Sequence, residues 1–427
     1  MGASVVFIKT PIPLLIDDKL EPDMGILYVA SYLKRNSDAC VKYVDLSVQT
    51  PDELASIPDV AMYCFSTYTA NYHLTVEIVS YIKQHIKNKN AIFIAGGHHA
   101  TALPDEVSND FDYVIVGEGE LAMRDLYNQI ISGACLPNKI IVGQCVDDLD
   151  KIGWIDYSMV KMELYTRTVN GHKSISILTS RGCPYKCKFC NSFLMKRYKS
   201  VRFRTAEDVA NEIIFLSKKY NVFDFRIQDD IFSINKNRLE QLASILEPYN
   251  FTFRCFARID NMDDETLKCF KKMGVFHLSF GVESGSNKIL KLMNKGISSE
   301  QIVNSTALAK KYGMKCRVYL IAGYPGETEE TIDETIKIIR KVKPDDVSVY
   351  PLIPYPGTLL YEHPEQFNIT YINPDFSQYY QIFGNKESGY VFQTKDMDIA
   401  KLKSFRNRLV DGISDICPWA IDDKQNR

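Results

Sequence analysis

The chain has 427 residues, 45% hydrophobic and 24% charged, an ordinary globular composition over a length that calls for two or three domains rather than one small core. A formal net charge of -2 and a pI near 6.4 give no global basic field, so no nucleic-acid partner is expected. No run of about 18 apolar residues reads as a membrane span, and the start, Met1 to Thr10, is charged too early for a signal peptide and reads as a first strand.

Residues 1–135 alternate short apolar runs with helical periods. Ala3–Ile8, Val41–Asp45, Asp59–Phe65, Ala91–Ala95 and Tyr113–Val116 read as strands, and Met24–Lys34 and Leu74–Ile86 as helices. This alternation predicts a doubly wound, Rossmann-like parallel sheet, which takes ligands at the carboxyl ends of its strands. The loops expected there are Thr10-Pro11-Ile12-Pro13, Ser66-Thr67-Tyr68-Thr69, Gly96-Gly97-His98-His99 and Gly117-Glu118-Gly119-Glu120. Glycine lets backbone approach a ligand and hydroxyls can donate to one, but the same loops also suit an α/β module with no ligand. Neither common phosphate-loop pattern is present, which disfavours the usual nucleotide sites.

Residues 136–172, with Asp147-Asp148 and Ile152 to Tyr157, show no long period and read as a connector over the surface of the next domain. From 173 to 358 the alternation resumes. Strands are expected at Ser174–Leu178, Phe223–Gln228, Thr252–Ala257, Phe276–Val282, Lys315–Ala322 and Asp346–Leu352. Helices are expected at Ala206–Tyr220 (N-capped by Thr205), Leu239–Leu246, Asp263–Met273 (closed by Gly274), Ser299–Tyr312 and Glu327–Val342. Six repeats make a partial (β/α)6 barrel rather than a closed eight-fold one. Residues 359–427 form a small α-helical and irregular segment. It is rich in aromatics (Tyr371, Phe376, Tyr379, Tyr380, Phe383), which either roof a cleft or simply pack, and it ends in a helix at about Ile399–Ile413.

Of 11 cysteines, eight (Cys40, Cys64, Cys135, Cys145, Cys255, Cys269, Cys316, Cys417) are scattered, as in a reduced, cytoplasmic protein. The other three, Cys183, Cys187 and Cys190, lie in Arg181-Gly182-Cys183-Pro184-Tyr185-Lys186-Cys187-Lys188-Phe189-Cys190, directly after the first barrel strand. Three thiolates spaced C-x3-C-x2-C are one ligand short of a closed zinc site, and no fourth Cys or His lies nearby. An iron–sulfur cluster with one open position fits better. At later strand ends stand Gln228-Asp229-Asp230, Gly281-Val282-Glu283-Ser284-Gly285-Ser286 and Gly323-Tyr324-Pro325-Gly326. A buried Glu283 needs a hydrogen-bonding partner, for which a ribose diol is suited. Asp229 and Asp230 read either as catalytic groups or as helix caps. Arg254 and Arg258 read either as carboxylate or phosphate binders or as surface ion pairs.

The cysteine loop with its aromatic Phe189 resembles the signature of radical S-adenosylmethionine (SAM) enzymes, and the later motifs resemble that family's barrel segments in order, through Met293-Asn294-Lys295-Gly296. The resemblance implies a [4Fe–4S] cluster on Cys183, Cys187 and Cys190 whose open iron chelates SAM, and reductive release of a 5′-deoxyadenosyl radical. By the same resemblance Phe189 lies against adenine, Gln228, Asp229 and Asp230 meet the methionine end or the substrate, and Glu283, Ser284, Gly323, Pro325 and Gly326 belong to the SAM site. The first domain is similar, over residues 24–33, 96–104 and 112–120, to the cobalamin-binding domain fused to one subgroup of this family. That implies cobalamin near Thr10, Ser66, Thr67, Tyr68, Gly96, Gly97, His98, Gly117 and Glu118. The D-x-H-x-x-G cobalt-ligand motif is absent, which leaves His73, His98 and His99 unassigned.

The expectation that follows is a methyltransferase acting on an unactivated carbon of a small molecule, with a flavodoxin- or ferredoxin-like electron donor and no membrane partner. The alternative is radical dehydration, cyclisation or rearrangement in which the first domain binds no cobalamin. A non-enzymatic iron–sulfur or zinc module is the reading from another class.

Overall fold

The computed structural model describes residues 2–12, 18–48, 57–134, 138–191, 201–380 and 389–416. Pro13, Cys135, Phe383 and Cys417, named above, lie outside the described residues. The chain divides into two compact units, one of Met1–Thr166 with Pro374–Tyr379, the other of Arg167–Asn373 with Tyr380–Arg427.

The first unit is a six-stranded parallel sheet in the order β2-β1-β3-β4-β5-β6. The strands are β1 (Ser4–Lys9), β2 (Cys40–Asp45), β3 (Met62–Ser66), β4 (Ile92–Gly96), β5 (Tyr113–Val116) and β6 (Ile140–Val142). Their apolar residues alternate between two cores, as a period of two requires. Val6, Ile8, Tyr63, Phe65, Phe93 and Val114 share one with Val79 and Ile82 of α2 (Tyr72–His85). Val5, Phe7, Met62, Cys64, Ile94 and Ile115 share the other with Ile26, Ala30 and Leu33 of α1 (Met24–Asn36) and Met123, Leu126 and Tyr127 of α4 (Gly119–Ile131). Helix α1 begins where Asp23 accepts from the Ile26 amide at 3.2 Å and ends in Lys34 and Arg35. Strand order reverses on either side of β1, so β1 and β3 flank the crevice where such sheets take ligands.

The 136–172 stretch supplies a strand and a docking surface that its lack of period hides. β6 is only three residues long and sits at the sheet edge beyond β5, paired Val114↔Ile140 through Val116↔Val142. The segment after it is held on α1 by polar contacts: Arg35 donates to the carbonyls of Ile152 and Trp154 at 2.7 and 2.6 Å, and Lys34 pairs with Asp156 at 2.7 Å. Those contacts are long-range and leave no local pattern.

The second unit is a seven-stranded sheet in unbroken chain order. Six parallel strands, β8 (His172–Ile177), β9 (Asp224–Ile227), β10 (Thr252–Ala257), β11 (Val275–Glu283), β12 (Lys315–Ala322) and β13 (Asp346–Pro351), form the partial barrel. β7 (Thr168–Val169) adds an antiparallel hairpin partner to β8. One face of each strand is apolar: Ile175, Ile177, Phe225, Ile227, Phe253, Cys255, Leu278, Phe280, Val318 and Leu320 are all buried. Helices α5 (Ala206–Tyr220), α6 (Lys236–Leu246), α7 (Asp264–Met273), α8 (Ser299–Lys311) and α9 (Glu329–Val342) alternate with the strands and bury their own apolar stripes. The Thr205 hydroxyl caps α5, accepting from Asp208 N at 3.1 Å. The closing helix α10 (Ile399–Ile413) packs on α9, with Arg408–Asp333 and Arg340–Asp415 pairs at 2.7 Å each.

The nine described cysteines are free thiols. Cys64, Cys255 and Cys316 are buried, and burial pushes the Cys316 thiol up to about 12, so these scattered cysteines are inert core residues. No helix among the described residues is long and apolar enough to cross a membrane.

Two glycines that end helices give a paired test. Gly274 after α7 has φ +89°, and a Cβ there would stand 1.9 Å from the Phe251 carbonyl oxygen; Gly313 after α8 has φ +82° but open space around it. Gly313→Ala is expected to cost about 1 kcal/mol, the left-handed backbone penalty alone, and Gly274→Ala on the order of 3 kcal/mol because backbone must also move. Urea unfolding of both variants measures the difference; equal costs would contradict it.

Candidate functional site

The site begins where β8 ends. Asp229, just beyond β9, accepts from the Thr179 amide at 2.6 Å and from the Thr179 and Ser180 hydroxyls at 2.5 Å each. Burial pushes its carboxyl up, while those donors and the charge of Arg238 pull it back. Arg204 donates to the Leu178 carbonyl at 2.9 Å and pairs with Glu212 at 2.5 Å and Asp208 at 2.6 Å; Arg238 donates to the carbonyls of Thr179 at 2.9 Å and Arg204 at 2.6 Å. The Thr179 amide and hydroxyl, the Ser180 hydroxyl and the carbonyls of Leu178 and Thr179 are thereby held, just ahead of Cys183. Asp229 serves as the clamp of this turn, whereas Asp230 is exposed and its charge reaches Cys183, raising the thiol further after burial has done so.

The cysteine loop is fastened to the rim at three further points. The guanidinium of Arg258, after β10, lies 3.5 Å over the Tyr185 ring, pairs with Asp260 at 2.9 Å and donates to the Lys295 carbonyl at 2.7 Å. Its Nη1 stands 3.9 Å from Cys187 Sγ. Lys188 N donates to the Met293 carbonyl at 3.0 Å, and Asn294 Nδ2 to the Lys186 carbonyl at 2.7 Å. Arg254 and Arg258, expected together as anion binders, therefore separate. Arg258 belongs to the cysteine loop, and Arg254 lies four residues earlier, within β10, near Ser279 and Tyr319.

Glu283 is a non-glycine residue at φ +67°, placed where the β11–β12 register shifts. Such backbone persists only when its surroundings hold it. Its carboxylate pairs at 2.9 Å with Lys295 Nζ, which also lies 5.7 Å from the Phe189 ring centroid. Lys295 thus joins the site, though the sequence reading used it only as part of a motif; a lysine twelve residues past a buried glutamate was the available signal. Gln228 Nε2 lies 3.4 Å from Ser176 Oγ. Ser284 Oγ lies 3.2 Å from Thr335 Oγ1, which ties this motif to α9. Gly323 has φ +88°, a Cβ there would meet Leu402 of α10 at 2.8 Å, and its amide donates to Glu327 Oε2 at 2.5 Å. Pro325 is buried and Gly326 exposed at φ +92°.

In the first unit, most hydroxyls expected at the sheet rim are engaged within it. Thr10 Oγ1 accepts from Asn71 Nδ2 at 2.9 Å, Thr67 Oγ1 donates to the Gly96 carbonyl at 2.9 Å, and Tyr68 Oη donates to Asp23 at 2.9 Å. Ser66 bonds Tyr68, Gly117 N donates to Thr101 Oγ1 at 3.0 Å, and buried Glu118 receives the Val146 amide at 3.4 Å. Gly97, at φ +98°, brings α3 (His98–Ala102) against Thr67, whose amide and carbonyl a Cβ would meet at 2.9 Å. His98 and His73 are exposed. His99 is buried against Tyr72 and Phe376, and burial holds its imidazole neutral, at about 4. Phe376 and Tyr379 thus pack within this unit.

Residues 177–339 match the Radical SAM superfamily, and residues 18–127 match the B12 binding domain. The chain is a radical SAM protein with an N-terminal B12 binding domain. It is 29% identical over 371 residues to an uncharacterized methyltransferase of Pyrococcus horikoshii, covering 80% of this chain and 78% of that one. It is 25% identical over 374 residues to the anaerobic magnesium-protoporphyrin IX monomethyl ester cyclase of Rubrivivax gelatinosus, covering 80% and 66%. A structure of the radical SAM methyltransferase TsrM from Kitasatospora setae, with cobalamin and a [4Fe–4S] cluster bound, shares its fold at TM-score 0.69 and 16% identity, covering 96% of this chain and 82% of that one.

The radical SAM loop fits a cubane better than a single ion. A single tetrahedral ion in a closed site takes four protein ligands, and the loop offers three thiolates. A cubane takes each cysteine on a different iron and leaves the fourth iron open. Cys183, Cys187 and Cys190 are each partly exposed on a loop pinned from both sides, and they are near enough that Cys187 and Cys190 bear on the Cys183 thiol. In the B12 binding domain, the close approach at Gly97 and the exposed ring of His98 meet at the carboxyl end of β4, where a large ring system could lie on backbone.

Two predictions follow from the geometry. Asp229→Asn would turn an amide toward at least one of the three donors, costing about 3 kcal/mol, with loss of iron binding measured by absorbance; unchanged stability would rule out the clamp. Burial raises the Glu327 carboxyl from 4.5 to about 8, so the folded state holds a proton that the unfolded chain loses above about 4.5. Stability from this group is therefore lost as pH rises from 4.5 toward 8. Glu327→Gln should match the parent near pH 5 and exceed it by a few kcal/mol near pH 8, by thermal unfolding across that range.

Proposed function

We propose that this protein is a cobalamin-dependent radical SAM methyltransferase that places a methyl group on an unactivated carbon of a small molecule. The observation that carries the reading is the pairing, in one chain, of a B12 binding domain with a three-cysteine loop that leaves one metal position open. When bound, the cofactors supply a carbon-centred radical and a methyl group. The chain supplies placement. Cys183, Cys187 and Cys190 hold iron, and Arg258 sets a positive charge beside Cys187, which stabilises a thiolate and a reduced cluster. Lys295 offers a cation and Glu283 an acceptor for the amino-acid and ribose ends of SAM, with Phe189 beside them as an apolar wall. Ser284, Gly323, Pro325 and Gly326 complete that rim, and Gln228, Asp230 and Arg254 face the substrate. In the first domain Thr10, Ser66, Thr67, Tyr68, Gly96, Gly97, His98, Gly117 and Glu118 frame the corrinoid rim. The exposed Pro184 and Lys186 leave the cysteine loop open to an external flavodoxin- or ferredoxin-like electron donor.

A second reading keeps the radical and omits the methyl transfer. It is favoured by the likeness to a protein named as a cyclase, comparable in extent to the likeness to one named as a methyltransferase, and by the absence of a D-x-H-x-x-G motif. Anaerobic purification with added cobalamin, followed by incubation with methyl-labelled SAM and a reductant, separates the two. The first predicts corrinoid absorbance at one equivalent and label in a product; deoxyadenosine formation with no corrinoid and no label would leave the second. Arg258→Gln is expected to lower deoxyadenosine formation about tenfold or more, measured with cluster content held equal.

A further inference from the structure

We infer that the barrel lumen contains a subsite for an anionic group of the substrate, a carboxylate or a phosphate, centred on Arg254 and flanked by Arg226 and Arg317. The inference deepens the reading above, since it names the class of molecule that enters the radical SAM barrel. Register places these side chains. Arg226 is opposite Arg254, Arg254 is opposite His277, and Ser279 is opposite Arg317. Their neighbours along the strands, Phe225, Ile227, Phe253, Cys255, Val318 and Leu320, are buried apolar residues of the outer face, so the arginines belong to the inner one.

The charges on that face do not balance around Arg254. Arg317 is paired with Asp346 at 3.0 Å and bonds Ser348 at 2.6 Å. Of the other carboxylates on that face, Asp224 is engaged by Thr252 and by His172 at 3.2 Å, and Glu283, beside Gly281, by Lys295 at 2.9 Å. Among the described residues Arg254 makes two hydrogen bonds, both at the long limit of 3.4 Å, to Ser279 Oγ and Tyr319 Oη, and no carboxylate pairs with it. Burial disfavours its cation, as do the charges of Arg317 and Arg226, with Tyr319 opposing them. His277 beside it cannot supply a counter-charge; burial and the same cations hold it neutral at about 3, and its buried Nε2 has no hydrogen-bond partner. A guanidinium in such surroundings is costly unless something anionic meets it.

The neighbouring rings shape what fits. Arg226 lies over Phe256 at 5.4 Å, Arg317 over Tyr319 at 5.2 Å, and the two rings are 6.1 Å apart. Stacked guanidiniums keep their planes fixed and present N–H edges, which is the geometry for two-pronged recognition of carboxylate or phosphate oxygens. Arg226, Arg254 and His277 are each partly exposed, so the lumen is reachable.

The test uses the full-length protein with its cluster reconstituted and SAM present. It is titrated anaerobically with inorganic phosphate and, separately, with benzoate at constant ionic strength, following heat of binding and thermal midpoint. At least one probe is expected to saturate a single site and raise the midpoint. Saturation by phosphate marks a phosphate subsite, and saturation by benzoate alone marks a carboxylate one. Arg254→Gln should weaken that binding at least tenfold while unfolding, without ligand, no earlier than the parent. The exposed Lys341→Gln should leave binding unchanged. If Arg254→Gln does not fold, Arg226→Gln carries the same expectation. Absence of saturation by both probes, equal binding by the arginine variant, or equal loss in Lys341→Gln would overturn the subsite. Deoxyadenosine release in the same samples reports on the radical reading separately, because anion binding does not require it.

Discussion

The second unit depends on one buried carboxylate. Asp229 gathers an amide and two hydroxyls from Thr179 and Ser180, while Arg204 and Arg238 hold the carbonyls of Leu178 and Thr179. A strand end leaves such groups without ladder partners, and in a buried place each unmet group costs about 1–3 kcal/mol. Meeting all of them fixes the direction of the chain as it enters the cysteine loop. The network also relies on its own arginines being neutralised, which Glu212 and Asp208 accomplish for Arg204. Arg258 then acts from the opposite side on Tyr185. The loop is held at its root by hydrogen bonds and at its crown by a stacked cation, and the cysteines between them remain partly exposed.

The first unit solves a different problem. Its rim hydroxyls are engaged by Asn71, the Gly96 carbonyl and Asp23, so a large planar partner would meet backbone and ring edges more than free hydroxyls. The tight fit of Gly97 on Thr67 shows how little slack is present. A rim whose polar groups are already bonded within the fold leaves fewer side chains to order when a cofactor binds.

Much of the architecture was legible because both barrel and sheet repeat a local pattern. Helix Ile399–Ile413 and strands Tyr113–Val116, Thr252–Ala257 and Lys315–Ala322 fall where periodicity puts them. The caps at Thr205 and Gly274 were readable for the same reason, since capping is a short-range matter. β6 was not, because three residues give no period and its pairing partner is more than twenty residues away. The cysteine loop was plain from spacing. The clamp role of Asp229, the Glu283–Lys295 pair and the return of Pro374–Tyr379 to the first unit were not, since each is a contact between segments that the sequence keeps apart. Asp229 and Asp230 illustrate the limit: adjacent and identical in type, one is fully engaged inside the turn and the other is exposed.

Three cations in the second unit show how partner, more than residue type, assigns a role. Arg258 has Asp260 as an anion and a ring as a platform, so its charge is spent locally and what remains bears on Cys187. Lys295 is matched by Glu283 on a strained backbone, an arrangement that a polar ligand can open by replacing both halves of the pair at once. Among the described residues Arg254 has no such match, although Arg317 on the same face is neutralised by Asp346. A charge that the fold leaves uncompensated in a reachable interior is a demand on whatever enters. In this barrel that demand falls on the part of the molecule that lies below the strand ends, away from the cysteine loop.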